Sequence, residues 1–314
     1  MYQSISVVIP VYNKVEYIER SISSLLDQID KPEEIIIIDD FSTDGSFELV
    51  EKFTERSGGL IKLYRNHINM GVSFTRNRGI EFSSSKFIMF LDADDLYDIN
   101  CIKTVRSFLE KFIDERMFIF KCRYADSGVI YPLFPTSYEP FDSGIFKFDD
   151  KHTFVPFVGG SNVVLSLEFV KKSQIVFDVE ESNFEDWSFY FKLLIQNNLE
   201  FVLINAPLYH YFENILSGLS KKHQIHSLIK VPKVIDYLSK EGLNKSSGLI
   251  LSIWLSSAYD KINSRLNYLR FLKFNKGIIS QYFSLNRYFI VVILKFFSLR
   301  RLIILFKKNK FKSI

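Results

Sequence analysis

Three carboxylates crowd the end of one apolar run. Asp92, Asp94 and Asp95 fall within four positions directly after residues 87–91, Phe-Ile-Met-Phe-Leu. A buried strand accounts for the run, but not for the acids where it emerges. Like charges that close raise one another's pKa unless a cation sits among them. Clustered carboxylates suit a hard divalent ion, Mg2+ or Mn2+, which keeps coordination positions free for substrate phosphates. The alternative is helix capping, with Asp94 or Asp95 capping a helix that starts near Leu96; a cap needs one carboxylate, and here there are three. Asp39 and Asp40 end a second aliphatic run, and Glu185 and Asp186 open a helical pattern. Acids at a helix start suit the helix dipole; alternatively one faces a cleft as general base. His210 is a packed histidine or a ligand. Lys221 and Lys222 reach phosphates or are simply solvated.

Placing these residues requires strands and helices in alternation. Residues 5–10 read as a buried parallel strand followed by Tyr12 and Asn13 in a turn. Residues 15–29 have helical spacing, with Ile18, Ile22, Leu25, Leu26 and Ile29 on one face, and Pro32 marks the break. A second strand over 35–38 leads through an acidic loop, 39–46, into a helix over 47–56. A third strand, 60–64, precedes Asn69-Met70-Gly71, a helix over 72–83 and the 87–91 strand. This alternation predicts right-handed βαβ units and a mostly parallel sheet. Ligands bind such sheets at the carboxyl ends of the strands. Tyr12, Asp39, Asp40, Asp92 and Asp94 therefore belong on one rim. Neither G-x-G-x-x-G nor G-x-x-x-x-G-K-[ST] occurs, which argues against an ordinary dinucleotide site or P-loop. Beyond this half, residues 98–112 read as a helix and 117–122, 129–131 and 144–148 as short strands. Gly159-Gly160-Ser161-Asn162 allows close approach of backbone to a ligand, or is a simple turn. A helix over 184–194 and a strand over 201–204 precede a polar stretch, 209–222, and the chain reads as helical from about 224 onward.

With 314 residues and 47% hydrophobic content, the chain suits one large domain or a domain with an appendage. Cys101 and Cys122 form no disulfide framework and no metal-ligand spacing, which fits a reducing compartment. The N-terminus has no signal-peptide pattern. Thirteen Lys and Arg and no acid follow Asp260, which leaves 27 basic against 36 acidic residues before it, a net of −9. An acidic body thus carries a basic, aliphatic tail. Residues 288–306 are very apolar, but Lys295, Arg300 and Arg301 interrupt them short of the roughly 20 residues a membrane span needs. A helix lying in the membrane interface fits better, with Lys307, Lys308, Lys310 and Lys312 near anionic headgroups. The alternative is a helix packed on the body or on a second copy, as a homodimer. The tail's aliphatic runs suit a bilayer better than a nucleic-acid backbone.

Six segments together resemble the family 2 glycosyltransferases, inverting enzymes with the GT-A fold. They are Val-Val-Ile-Pro-Val-Tyr-Asn (7–13), Ile-Ile-Asp-Asp-Phe-Ser-Thr-Asp-Gly-Ser (37–46), Asn-Met-Gly-Val-Ser-Phe-Thr-Arg-Asn-Arg-Gly (69–79), Phe-Leu-Asp-Ala-Asp-Asp (90–95), Gly-Gly-Ser-Asn (159–162) and Glu-Asp-Trp (185–187). The resemblance implies an α/β fold with a Rossmann-like nucleotide-binding half and a mixed sheet flanked by helices over 1–222. A helical region over 223–314 follows, with its basic tail from about 285. It implies that Pro10 and Tyr12 line the base pocket, that Asp40 contacts the base or ribose with Asp39 beside it, and that Arg76 lies near the nucleotide and phosphates. Asp92 and Asp94 match the Asp-x-Asp element, the second usually binding the metal. The Gly159-Gly160 loop borders sugar and acceptor, Asp186 matches the catalytic base, and His210 adds a metal contact. The family commonly carries Tyr-x-Tyr-Arg where this chain ends in Phe212, so that arginine's phosphate contact is missing. The implied activity is Mn2+- or Mg2+-dependent transfer from a UDP-sugar to a glycan or polyprenyl-linked glycan, by an enzyme on the cytoplasmic face of the cell membrane. Rival readings are a non-catalytic binding or scaffold protein of this fold and a nucleotidyltransferase. The latter usually opens with a glycine-rich loop, which Pro10-Val11-Tyr12-Asn13 is not.

Overall fold

The computed structural model describes residues 2–130, 142–148, 160–181, 184–212 and 232–243. Four parallel strands form one half of the sheet: β1 (Ile5–Val11), β2 (Glu34–Asp39), β3 (Ile61–Arg65) and β4 (Phe87–Phe90). Their near-continuous aliphatic runs suit strands covered on both faces, and every residue of β2 and β4 is buried. Register places Val11 opposite Asp39 and Asp39 opposite Arg65, so the carboxyl ends of β1, β2 and β3 are level. Helices α1 (Ile18–Leu26), α2 (Ser46–Arg56) and α3 (Val72–Phe82) make the crossovers.

Past β4 the sheet becomes mixed. Its strand order is β3-β2-β1-β4-β8-β6-β9-β5, and β7 pairs with β9. The later strands are β5 (Leu96–Tyr97), β6 (Met117–Tyr124), β7 (Gly144–Lys147), β8 (Val163–Ser166) and β9 (Glu200–Tyr211). Strand β8 runs antiparallel to both β4 and β6, so the expectation of a mostly parallel sheet holds for the first half and fails for the second. No helix starts at Leu96, which excludes Asp94 and Asp95 as caps there; α4 (Cys101–Lys111) begins five residues later. Residues 209–211, the start of the stretch read as polar after a strand, complete β9. Of the strand expected over 129–131, Ile130 makes one bridge to Arg123, and Tyr131 lies outside the described residues.

Helices α5 (Leu167–Ser173) and α6 (Glu185–Gln196) follow β8. On one face of the sheet, Ile5, Val7, Ile9, Ile35 and Ile37 join Ile18, Ile22 and Leu25 of α1 and Ile102, Val105 and Leu109 of α4 in a single core. On the other face, α3 closes on β1 through Gly79. A Cβ there would sit 2.3 Å from Val8 Cγ1, so only glycine allows this approach. Aromatics hold α6: Phe177 stacks on Phe189 at 3.9 Å and meets Phe90 edge-on at 5.3 Å. Contacts along the chain divide it into two units, Met1–Lys222 and His223–Ile314. Within the second, α7 (Lys233–Lys240) buries Val234, Ile235 and Leu238. The tail over 285–314, Gly159, Lys221 and Lys222 lie outside the described residues. Among those described, no helix is long and apolar enough to cross a membrane.

Candidate active site

The turn after β4 is pinned from two sides. Leu91 N donates to Val8 O at 2.9 Å, and Asp92 N donates to Ser161 Oγ at 3.1 Å. The carboxylate of Asp92 then accepts from Arg76 Nη2 at 2.9 Å, while Arg76 Nη1 reaches Glu185 Oε1 at 3.0 Å. Arg76 stands in the middle of α3 and is only 4% exposed. It ties the strand-end acid to the first residue of α6. Burial alone would disfavour its charge, but Asp92 and Glu185 hold it firmly protonated. Arg76, expected near the nucleotide and phosphates, has its guanidinium taken up by two carboxylates.

Asp186 lies beside this clamp, half-buried. A Cβ on Gly160 would come within 3.4 Å of its Cβ and Oδ2 and 3.7 Å of Arg76 Nη2. Gly160 has φ +73°, and its carbonyl accepts from the buried Tyr190 hydroxyl of α6. The glycine loop therefore lies directly on the acid. Asp186 Oδ1 accepts from Trp187 N at 2.8 Å. Burial pushes its carboxyl up to about 7; neighbouring Glu185 adds to the shift and Arg76 opposes it. An acid that changes charge near neutral pH, in a partly open site, is suited to taking a proton.

Asp94 has a different partner. Its carboxylate is paired with the Lys14 ammonium, and its carbonyl accepts from Arg20 Nη2. Asp92 and Asp94 keep 25% and 15% of their side-chain surface exposed. Two such oxygen donors match what Mg2+ or Mn2+ takes from a protein when phosphates complete the shell. His210 does not join them: it pairs with Leu96 across the β5–β9 ladder, and its Nε2 lies 3.8 Å from Asp98 Oδ2. Burial lowers its pKa. Among the described residues, no three His, Cys, Asp or Glu side chains converge as a metal-holding group. The expected set of Asp92, Asp94 and His210 is thus not assembled.

At the neighbouring strand ends, Pro10 pairs with Ile38 inside the β1–β2 ladder, and Tyr12, 43% exposed, stands just beyond it. The loop after Tyr12 is stitched to the acidic loop: Asn13 N donates to Ser42 Oγ, Lys14 N to Ser46 Oγ and Val15 N to Asp44 Oδ2. Asp40 is occupied internally. It accepts from Asn66 Nδ2, Met70 N and Gly71 N at 2.7–2.8 Å, and so builds the entry to α3. Asp39 is fully buried, and its Oδ2 meets Ser42 N at 3.0 Å and Arg65 Nε at 3.1 Å. Its Oδ1 has no hydrogen-bond partner among the described residues. Burial raises its pKa, with Ser42 and Arg65 opposing. The structure thus brings Asp92, Arg76, Gly160 and Asp186 together, with Asp94 two residues along the same turn. Lys14, Glu185, Ser161 and Tyr190 complete the site. Of these, Glu185 was legible as an acid at a helix start and Ser161 as part of the glycine segment 159–162, whereas no spacing signalled Lys14 or Tyr190.

Comparison with known proteins agrees with this geometry. The model of glycosyl transferase family 2 matches residues 6–172. The chain is 39% identical over 108 residues to the minor teichoic acid biosynthesis protein GgaA of Bacillus subtilis, covering 33% of this chain and 24% of that one. It spans about half or less of the length of the curated relatives it matches. Among solved structures it shares its fold with S. aureus TarS 1–349 in complex with UDP-GlcNAc (TM-score 0.61, 21% identity, 84% of this chain and 74% of that one). It also shares it with the mannosyltransferase PcManGT of Pyrobaculum calidifontis in complex with GDP-Man and Mn2+ (TM-score 0.55, 14% identity, 95% and 88%). Likenesses at these identities establish the GT-A fold. The family match, which runs over more than half of the 314 residues and takes in both the strand-end acids and the glycine loop, establishes more: the chain belongs to glycosyl transferase family 2.

Proposed function

We propose that the chain transfers a sugar, with inversion and with a divalent metal, from a nucleotide sugar to a hydroxyl of a glycan or polyprenyl-linked glycan in bacterial surface polysaccharide synthesis. Asp186 carries the reading. It is the acid that burial brings near neutral pH, and the Gly160 backbone lies against it. Asp186 takes the proton from the acceptor hydroxyl, whose oxygen attacks the anomeric carbon from the face opposite the leaving diphosphate. One displacement gives inversion. A base placed this way contributes roughly 10²–10⁴-fold. Asp94, with Asp92 beside it, would hold Mn2+ or Mg2+, whose charge offsets that of the departing diphosphate. Arg76 and Glu185 keep Asp92 and Asp186 in register with each other. Tyr12 offers an exposed aromatic wall for the base. Asp39 ends β2 level with Val11 and Asp40 follows it; both are buried and hold Ser42, Arg65, Met70 and Gly71 in place there. A UDP-sugar is favoured by the fold shared with TarS, which is solved with UDP-GlcNAc, and Mn2+ by PcManGT, solved with that ion. A surface polymer is favoured by the likeness to GgaA. The basic tail suits peripheral attachment to the inner face of the cell membrane, where a lipid-linked acceptor resides.

The test is Asp186→Asn. The variant should bind UDP as the parent does and release nucleotide from UDP-sugar at least 100-fold more slowly, the lower end of a positioned base's contribution of about 10²–10⁴. Turnover near the parental rate would remove Asp186 from the mechanism. A parent that binds UDP but never releases it from any UDP-sugar would point to a non-catalytic binding protein.

A further inference from the structure

The acids of the site are neutralised by two cations with opposite freedom to move. Arg76 is 5% exposed at its side chain and fixed by ion pairs at both ends, so Asp92 cannot exchange it for another cation without also abandoning Glu185. Lys14 is also nearly covered, at 11%, and lies on the carboxylate of Asp94, but among the described residues its ammonium has no salt-bridge partner besides that acid. Its root is immobile, because Lys14 N is bonded to Ser46 Oγ at 2.7 Å and both neighbouring amides are held by Ser42 and Asp44. Only the four-carbon stem can move. On the other side of Asp94, Arg20 cannot take over the role: its guanidinium lies 3.8 Å over the Phe212 ring and bonds the Asp94 carbonyl. The Asp94 backbone is therefore fixed while its carboxylate holds a cation that can leave.

On the reading of Asp94 as the metal-holding carboxylate, we propose that Lys14 is the resident counter-ion of the donor site: it occupies Asp94 in the ligand-free protein and yields it to the metal when a nucleoside diphosphate arrives to receive the ammonium. Without nucleotide, a divalent ion must displace Lys14 from Asp94 with no diphosphate present to receive the ammonium. With nucleotide, the displaced ammonium gains the diphosphate. Metal and nucleotide then bind each other's complexes more tightly than they bind the free protein, and the coupling is equal in both directions. Lys14 is thus a positioning residue that links the order of binding to charge balance, and Asp94 is not left as a bare anion in the empty site.

The experiment titrates Mn2+ into the full-length chain, with free ion followed by its electron paramagnetic resonance signal, in the absence and presence of UDP. Lys14→Met keeps the stem and removes the charge. It should bind Mn2+ alone about tenfold tighter than the parent, equivalent to about 1.4 kcal/mol. The gain that UDP confers on Mn2+ binding should fall by a similar factor. Lys14→Arg, which keeps a cation, should resemble the parent, and circular dichroism of both variants controls for folding. If parent and UDP together bind no Mn2+, the metal role of Asp94 falls and the Lys14 proposal with it. If the parent binds Mn2+ with UDP, but Lys14→Met binds Mn2+ alone no tighter, the Lys14 proposal is overturned and the metal role stands.

Discussion

Replacing Asp186 by Asn should stabilise the protein, and only above the pH at which the buried carboxyl ionises. In an unfolded chain aspartate ionises near pH 3.9. In the fold, burial pushes Asp186 up to about 7. A carboxyl that ionises less readily folded than unfolded lowers stability as pH rises from about 4 to about 7, and above that the loss is complete. A difference of about three pH units corresponds to about 4 kcal/mol. Solvent still reaches part of Asp186, so the expected gain at pH 8 is about 2–4 kcal/mol. Asparagine has nearly the same shape, and its Oδ1 can still accept from Trp187 N. Urea denaturation of parent and variant at pH 8 and pH 4, with the slopes compared, measures the effect. At pH 4 the two proteins should differ by less than about 1 kcal/mol, because neither state of the parent is then far from protonated. Equal stabilities at pH 8, or the same gain at both pH values, would refute the placement of Asp186 as a buried, high-pKa acid. The gain would also expose a trade-off: the residue that costs stability is the one proposed to take the proton.

Three further outcomes follow from other parts of the chain. Asp94→Ala should weaken Mn2+-dependent UDP binding about tenfold or more, since charge-assisted contacts contribute about 1.5–3 kcal/mol; calorimetry with and without Mn2+ shows it, and unchanged affinity contradicts the metal role. Gly79→Ala should destabilise the protein by about 1–3 kcal/mol through its clash with Val8, despite the roughly 1 kcal/mol of helix propensity it adds. Adding Val8→Ala should recover part of that loss, and purely additive effects in chemical denaturation would argue against the contact. Removing residues 285–314 should release the protein from anionic vesicles in a flotation assay; a truncated chain that still floats with them sinks the interfacial-helix reading.

The parallel half of the fold was legible because its strands are covered on both faces and so read as unbroken aliphatic runs. The face of α1 was legible too, apart from Ile29, which follows the helix and is 59% exposed. In the mixed half, the strands over 117–122, 144–148 and 201–204 were legible, but β8 and the end of β9 were not. Strand β8 is four residues long and follows directly on a glycine turn, with α5 starting at the next residue, so no period has room to develop. The end of β9 is rich in tyrosine and histidine, and reads as a polar loop until Tyr209 proves to be buried. In the site, acids at strand ends could be placed on one rim from topology alone. Which partner each acid takes could not, because Arg76 and Glu185 lie 109 residues apart, and Lys14 and Asp94 lie 80 apart. Spacing alone did not separate Asp39 from Asp40; the resemblance did, and in the fold the hydrogen bonds from Asn66, Met70 and Gly71 fall to Asp40.

Each acid of the site is neutralised in a different way, and the manner suits the work proposed for it. Carboxylates this close repel one another unless each is balanced. Asp92 shares a fixed guanidinium with Glu185, so it serves geometry: it ties the turn after β4 to the start of α6. Asp94 is balanced by an ammonium on a flexible stem, so its partner can be exchanged for another cation without disturbing the fold. Asp186 feels Arg76 but accepts its hydrogen bond from a backbone amide, and burial leaves a proton as its readiest means of neutralisation. A fixed cation, an exchangeable cation and a proton thus distinguish three aspartates, and they match the roles proposed for them. The residues alone show acids at strand and helix ends; the cations that the fold sets beside them supply the physical reason for the roles proposed.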